Sequence, residues 1–382
     1  MEIIMAVLVL LASAMGLGMF VELLGMPHIV GEIGAGIIVG PAILNLIGYA
    51  SALSSLASVA LFFIMLLIGV EATSEMLTKN LAQATGLSIA SFVVPAVLLF
   101  IISYFAFNLP FITCAIISIA IGVPSISVIS VLILRYGLLR KRGGQTILAS
   151  VVFSDISAFI ILALIGKAGS KVILIAGIFI FAVALFALDR FMRKHRDIFN
   201  SMFASLRKTE RGETLAFGLV IVAGLVVSSL LQLIGITYIL GAFFAGLLIS
   251  RAVVGARMFH MFRNTFRRLN NSFFIPIFFS IAGLEVSIIS SQYLLLLAIL
   301  IAVGFISIFL VGYAFAVIEA SDMKRMSTIA LLGGRGAVGI AIGSIALSSN
   351  LINSSIYSVI VLATIGLSMM LPPFLRGQKF VR

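Results

Sequence analysis

Along most of the chain, apolar residues run on for about twenty positions at a time, and polar residues collect in the short intervals between. Such runs have neither the alternation of a half-buried strand nor the one-sided stripe of a soluble helix. The pattern predicts an all-α polytopic membrane protein of thirteen spans. They lie near 3–22, 27–48, 54–72, 83–106, 111–134, 145–166, 171–189, 214–233, 236–251, 272–288, 293–318, 326–348 and 353–373. No interval has room for a water-soluble domain. The longest, "DRFMRKHRDIFNSMFASLRKTERGET" (189–214), reads as an amphipathic connector. The opening "MEIIMAVLVL" has no basic stretch before its apolar run, so it is expected to remain as the first span rather than be cleaved.

Composition agrees: 62% of the 382 residues are hydrophobic and 10% charged, more apolar surface than a soluble core can hide. Charge adds more. A net charge of +12 would by itself suggest nucleic acid, but the basic residues partition by side. With the C-terminus inside, twenty-two of the 25 Lys and Arg fall on inside segments. Lys167 and Lys171 fall outside, and Arg335 alone lies within a span. Thirteen spans with the N-terminus out and the C-terminus in follow from the excess of basic residues on inner loops. The high charge is then a topology signal with some attraction to anionic membrane lipid, and no nucleic-acid partner is expected. One cysteine, Cys114, excludes an intrachain disulfide.

The chain also repeats itself. "GMPHIVGEIGAGIIV" (25–39) matches "GITYILGAFFAGLLI" (235–249), "GVEAT" (69–73) matches "GLEVS" (283–287), and "IGVPSISV" (121–128) stands opposite "GGRGAVGI" (333–340), at offsets of 210, 214 and 212. Spans 1–6 pair with spans 8–13, with span 7 as linker. A six-span unit plus one linker turns the second copy upside down, the inverted repeat of alternating-access transporters.

Two spans carry internal breaks at matched places. Pro124, after Gly122, removes an N–H and clashes with the preceding turn of span 5. Gly334, Arg335 and Gly336 sit at the equivalent place in span 12. Two interrupted helices in inverted halves are expected to cross near the midplane and aim their half-helix ends at one spot. A phosphate-binding reading of these glycine runs lacks its strand–loop–helix context.

Asp155, in "VVFSDISAFI" (151–160), falls in the next span near that crossing. It costs about 2.5–3.5 kcal/mol at a helix centre, so it needs a reason. A structural ion pair with Arg335 is one. The other is an ion site, in which the carboxylate, the hydroxyls of Ser154, Ser125 and Ser127, and freed carbonyls supply hard oxygen ligands for Na⁺, Li⁺ or K⁺. A carboxylate withdrawn from water holds a proton readily and can give it up to an arriving cation. Arg335 is read evenly as structural, compensating the half-helix dipole or orienting an acid, and as taking a direct part in transport. Glu71 and Glu285, at matched positions near span ends, are expected to snorkel to the interface, and His28 to be interfacial, with pH sensing as its lesser alternative. Glu32 is more interior and a minor candidate for cation access. No cofactor, metal cluster or hydrolytic residue set is evident.

"GMPHIVGEIGAGIIVGP", "LFFIMLLIGVEAT", "GITYILGAFFAGLLIS" and "IPIFFSIAGLEVS" together resemble, over nearly the whole chain, the monovalent cation/proton antiporter superfamily of Na⁺/H⁺ exchangers and potassium-efflux systems. The resemblance implies a homodimer in the plasma membrane. It implies a dimerisation subdomain over 1–77 and 214–290, and a mobile ion-transport core over 78–166 and 291–376. Residues 167–213 would hold the linker helix and connector. It also places the family's ion-binding acid on Asp155.

Three departures bear on mechanism. Ser154 stands where the family has Asn or Asp. Span 293–318 holds no basic residue, although the electrogenic branch has a lysine there. Arg335-Gly336-Ala337 replaces Arg-Gly-Glu. One titrating carboxylate without a lysine implies electroneutral exchange. No nucleotide-binding domain of the kind attached to many potassium-efflux relatives is seen, so ligand gating would need a separate regulatory subunit. A gated potassium pathway on the same fold, or a sodium-coupled organic anion symporter, are the rival readings.

Overall fold

Within a bilayer each peptide N–H and C=O must be satisfied inside its own segment, so the apolar runs coil into helices. The computed structural model describes residues 3–24, 26–48, 51–71, 81–125, 129, 141–165, 190–191, 194–195, 209–233, 238–249, 254–318 and 325–370. No strand occurs among them. The helices are α1 (Ile3–Leu23), α2 (His28–Val39), α3 (Ser51–Glu71), α4 (Leu81–Phe105), α5 (Phe111–Gly122), α6 (Arg142–Ile165) and α7 (Glu210–Leu233). There follow α8 (Tyr238–Leu248), α9 (Ala256–Leu269), α10 (Ile275–Leu284), α11 (Ser291–Ile318), α12 (Arg325–Leu332), α13 (Ala337–Ser348) and α14 (Ser354–Met369). Seven are long and apolar enough to cross a membrane, with α12 and α13 counted together.

Several spans are shorter than their apolar runs. The chain leaves α2 at Gly40, and Asn45 turns it with a φ of 48°. Asn353 starts α14 by accepting the Ile356 N–H at 2.9 Å. Span 7, most of the connector, and the second half of span 5 apart from Ile129 lie outside the described residues.

One helix was missed. Residues 256–269 read as a basic loop, yet they form α9, with Met258, Phe259, Phe262 and Phe266 buried. A π-helical turn, Asn270–Phe274, joins it to α10. The Asn270 amide donates to the carbonyls of Phe266 (2.8 Å) and Phe63 (3.2 Å), supplying partners where the helical ladder changes register. The spacing of the phenylalanines was the available signal. Five basic residues between 251 and 268 outweighed it.

The chain forms two compact units. One comprises residues 1–57, 76–158 and 276–382, the other 58–75 and 159–275. In each, helices meet at glycines close enough for main chains to touch. In the first unit, a Cβ on Gly36 would lie inside the Ser280 carbonyl and 3.0 Å from the Gly283 Cα, while Gly31 lies against Leu17 and Gly18. In the second, a Cβ on Gly69 would lie inside the Phe243 carbonyl and 3.0 Å from the Gly246 Cα, while Gly241 lies against Ser228. Gly36 and Gly246, Gly31 and Gly241, and Gly69 and Gly283 are the same positions that the internal sequence matches pair.

Candidate ion-binding site

The expected break in span 5 is present. α5 ends at Gly122, Val123 is extended (φ −73°, ψ 125°), and Pro124 denies the helix its next N–H. A Cβ on Gly122 would stand 3.1 Å from that of Ala96, so α5 closes on α4 just before the break. Span 12 breaks too, between Leu332 of α12 and Ala337 of α13. The two breaks meet directly: the Ser125 N–H donates to the Gly334 carbonyl at 2.8 Å. α13 packs on α5 beside this contact, where any side chain at Gly339 would strike the Ala120 carbonyl. Helix C-termini at Gly122 and Leu332 and a helix N-terminus at Ala337 thus border one locus. Their dipole ends present carbonyl oxygen from two sides and N–H from a third.

α6 carries the acid. Asp155 is 5% exposed and Ser154 fully buried. The Ser154 hydroxyl is 3.0 Å from the Ser150 carbonyl and 2.9 Å from the Ser88 hydroxyl of α4. Ser88 was not singled out from the sequence; its signal was the Ser88/Ser91 pair one helical turn apart in an apolar span. Ser125 is buried at the break. Ser127 lies outside the described residues.

Arg335 is 1% exposed, among the largest fully buried side chains. Its Nη1 reaches the Leu332 carbonyl at 3.5 Å, and its own carbonyl accepts the Ser368 hydroxyl at 2.7 Å. The guanidinium therefore leans on the C-terminus of α12, where a cation offsets unpaired carbonyl dipoles.

The remaining acids lie elsewhere. Glu71 pairs with Arg267, whose Nε is 3.0 Å from Oε1, and Glu285 accepts from the Ser344 hydroxyl at 3.2 Å. His28 holds Glu22 across 2.6 Å. Glu32 is buried on α2, facing Gly18 of α1. Among the described residues no three His, Cys, Asp or Glu side chains gather as they would around a tightly held metal. A single carboxylate with hydroxyl and carbonyl oxygens is the donor chemistry of a cation held weakly enough to leave.

Helical construction throughout the described residues, seven segments long and apolar enough to cross a membrane, and two interrupted helices define a multi-pass membrane protein. The chain belongs to the transmembrane sodium/hydrogen exchanger family, whose model matches residues 7–377. It is 26% identical to the probable Na⁺/H⁺ antiporter GerT of Bacillus cereus over 369 residues, 92% of this chain and 93% of that one. It is also 26% identical to the Na⁺/H⁺–K⁺ antiporter GerN of the same organism, over 92% of this chain and 90% of the relative. The fold matches the sodium/proton antiporter MjNhaP1 of Methanocaldococcus jannaschii with a TM-score of 0.70 at 16% identity, over 98% of this chain and 96% of that one.

Proposed function

We propose that the protein exchanges a monovalent cation, Na⁺ or K⁺, for protons by alternating access. Asp155 takes either ion in turn, with Ser154, Ser125 and Ser127 as hydroxyl neighbours. The carrying observation is a buried carboxylate, backed by the Ser154–Ser88 pair, in the unit where two helix breaks join main chain to main chain. A carboxylate that must be neutral or paired before it can move through a low-dielectric region couples the two ions without further machinery. The glycine crossings at repeat-matched positions support an inverted repeat. The partition of basic residues supports an inner C-terminus. The division into a dimerisation part (1–77, 214–290) and a moving core (78–166, 291–376), within a plasma-membrane homodimer, completes the proposal. α11 carries no basic residue, which favours electroneutral one-for-one exchange.

Reconstituted protein is expected to dissipate a pH gradient when Na⁺ or K⁺ is added, at a rate unaffected by membrane potential. Asp155→Asn is expected to abolish the response. Cation flux without proton movement would establish the gated-pathway reading instead.

A further inference from the structure

Glu32 has no part in that scheme, yet it is 5% exposed and its Oε2 is buried without a hydrogen-bond partner among the described residues. An ionised carboxylate is costly in such a place, whereas the neutral acid is tolerated. Gly18 of α1 sets the two helices close here: a Cβ on it would stand 3.2 Å from His28 Nδ1 and 3.5 Å from Glu32 Cγ. The other ring nitrogen, Nε2, meets Glu22 at 2.6 Å, and these two side chains are 44% and 39% exposed. Glu22, His28 and Glu32 therefore form a row from the exposed end of the α1–α2 pair to a buried carboxyl. The central imidazole can accept a proton at one nitrogen and release it at the other.

The helix crossing does not require this row. α7 and α8 make the same close approach, Gly241 on Ser228 as Gly31 on Gly18, and there the matching residues are Gln232, Tyr238 and Ala242. Among the described residues, α10 against α2 has no acidic or basic residue, and α14 brings Tyr357, whose hydroxyl donates to the Ala282 carbonyl. A cation is a poor occupant, because one carboxylate cannot replace a hydration shell that takes several oxygens to match.

We propose that Glu32 is a second proton-binding site, separate from Asp155, loaded from water through the His28–Glu22 pair. Its occupancy sets the pH dependence of exchange and carries no cargo.

Infrared difference spectra of proteoliposomes across pH read the carbonyl band of protonated carboxyl groups directly, whether or not transport occurs. Glu32→Gln is expected to lose one such band that Asp155→Asn retains. Glu32→Ala, which copies Ala242, is expected to lose it too and serves if the glutamine variant folds poorly. After a pH jump, the band is expected to appear more slowly in His28→Gln and in Gly18→Ala, whose methyl group would press on both His28 and Glu32. The exchange rate of Glu32→Gln is expected to have a displaced pH midpoint. Unchanged bands in both Glu32 variants would overturn the site, and unchanged loading in both relay variants would overturn the route. Only the midpoint measurement rests on the exchange reading; a protein that moves no cation would sink that reading and leave the band assignment intact.

Discussion

The amide of Ser125 and the carbonyl of Gly334, 209 residues apart, are joined by a 2.8 Å hydrogen bond at the point where two spans lose their helical ladders. Each break satisfies part of the other. The Ser125 N–H can make this bond because α5 stops at Gly122.

Pro124→Ala restores an N–H and removes the ring that blocks the next turn. α5 is then expected to continue and draw the Ser125 N–H back towards its own preceding turn, at the expense of Gly334. Misplaced reacting groups cost on the order of 10²-fold in comparable sites, and a loss of that size is expected in cation-induced pH-gradient dissipation. Far-UV circular dichroism should show helix content kept or raised. An unchanged rate would mean that the crossing does not shape the site.

The Ser88–Ser154 hydroxyl pair ties α4 to α6 beside Asp155. Removing either partner leaves the other buried beside one unmet bond, a change worth ~1 kcal/mol or about fivefold in affinity. Ser88→Ala and Ser154→Ala are each expected to raise the half-maximal cation concentration by about that factor. The double variant should be scarcely worse than Ser154→Ala alone, since that change already removes the bond that Ser88 makes. Additive losses would show that the hydroxyls act apart.

Gly36 and Gly246 sit where a side chain would enter a neighbouring main-chain carbonyl, whereas a Cβ on Gly218 would meet no other element within 4 Å among the described residues. Overpacking of this kind costs about 1–3 kcal/mol, and here the obstacle is backbone, which cannot rotate away. Gly36→Ala and Gly246→Ala are expected to lower the melting temperature in detergent, while Gly218→Ala leaves it unchanged. Equal melting of all three would remove the physical content of the matched crossings.

Much of this was legible from residue order, for separate reasons. The runs behind α1, α4 and α11 announce themselves because lipid demands one kind of surface all round. Pro124 and the glycines around Arg335 gave away the breaks because few residues end a helix inside a membrane. Asp155 stood out by its cost. Ser88 did not, since a serine in a span has an inexpensive alternative in its own helix, and only the fold shows that it meets Ser154. The helix α9 was hidden because its arginines dominate a hydropathy average, although Phe262 and Phe266 keep helical spacing. The extent of α2 was overstated because apolar residues continue past Gly40 into a turn.

Arg335 makes its clearest side-chain contact with the end of α12, at the Leu332 carbonyl, and its main chain is fastened separately by the Ser368 hydroxyl. The two attachments can be tested apart. Arg335→Met keeps much of the length and removes the charge, leaving the carbonyls of the broken end without compensation. Its exchange rate is expected to fall about five- to thirtyfold, in line with losses of dipole and charge contacts of about 1–2 kcal/mol. Arg335→Lys keeps the charge but not the planar fork, so it should recover part of the rate. Ser368→Ala removes one bond to the break without touching the charge, and its effect is expected to be smaller than that of Arg335→Met. A methionine variant that exchanges as fast as the lysine one would show that Arg335 contributes volume alone. The dipole at the end of α12 would then be answered by main-chain bonds such as Ser125 to Gly334.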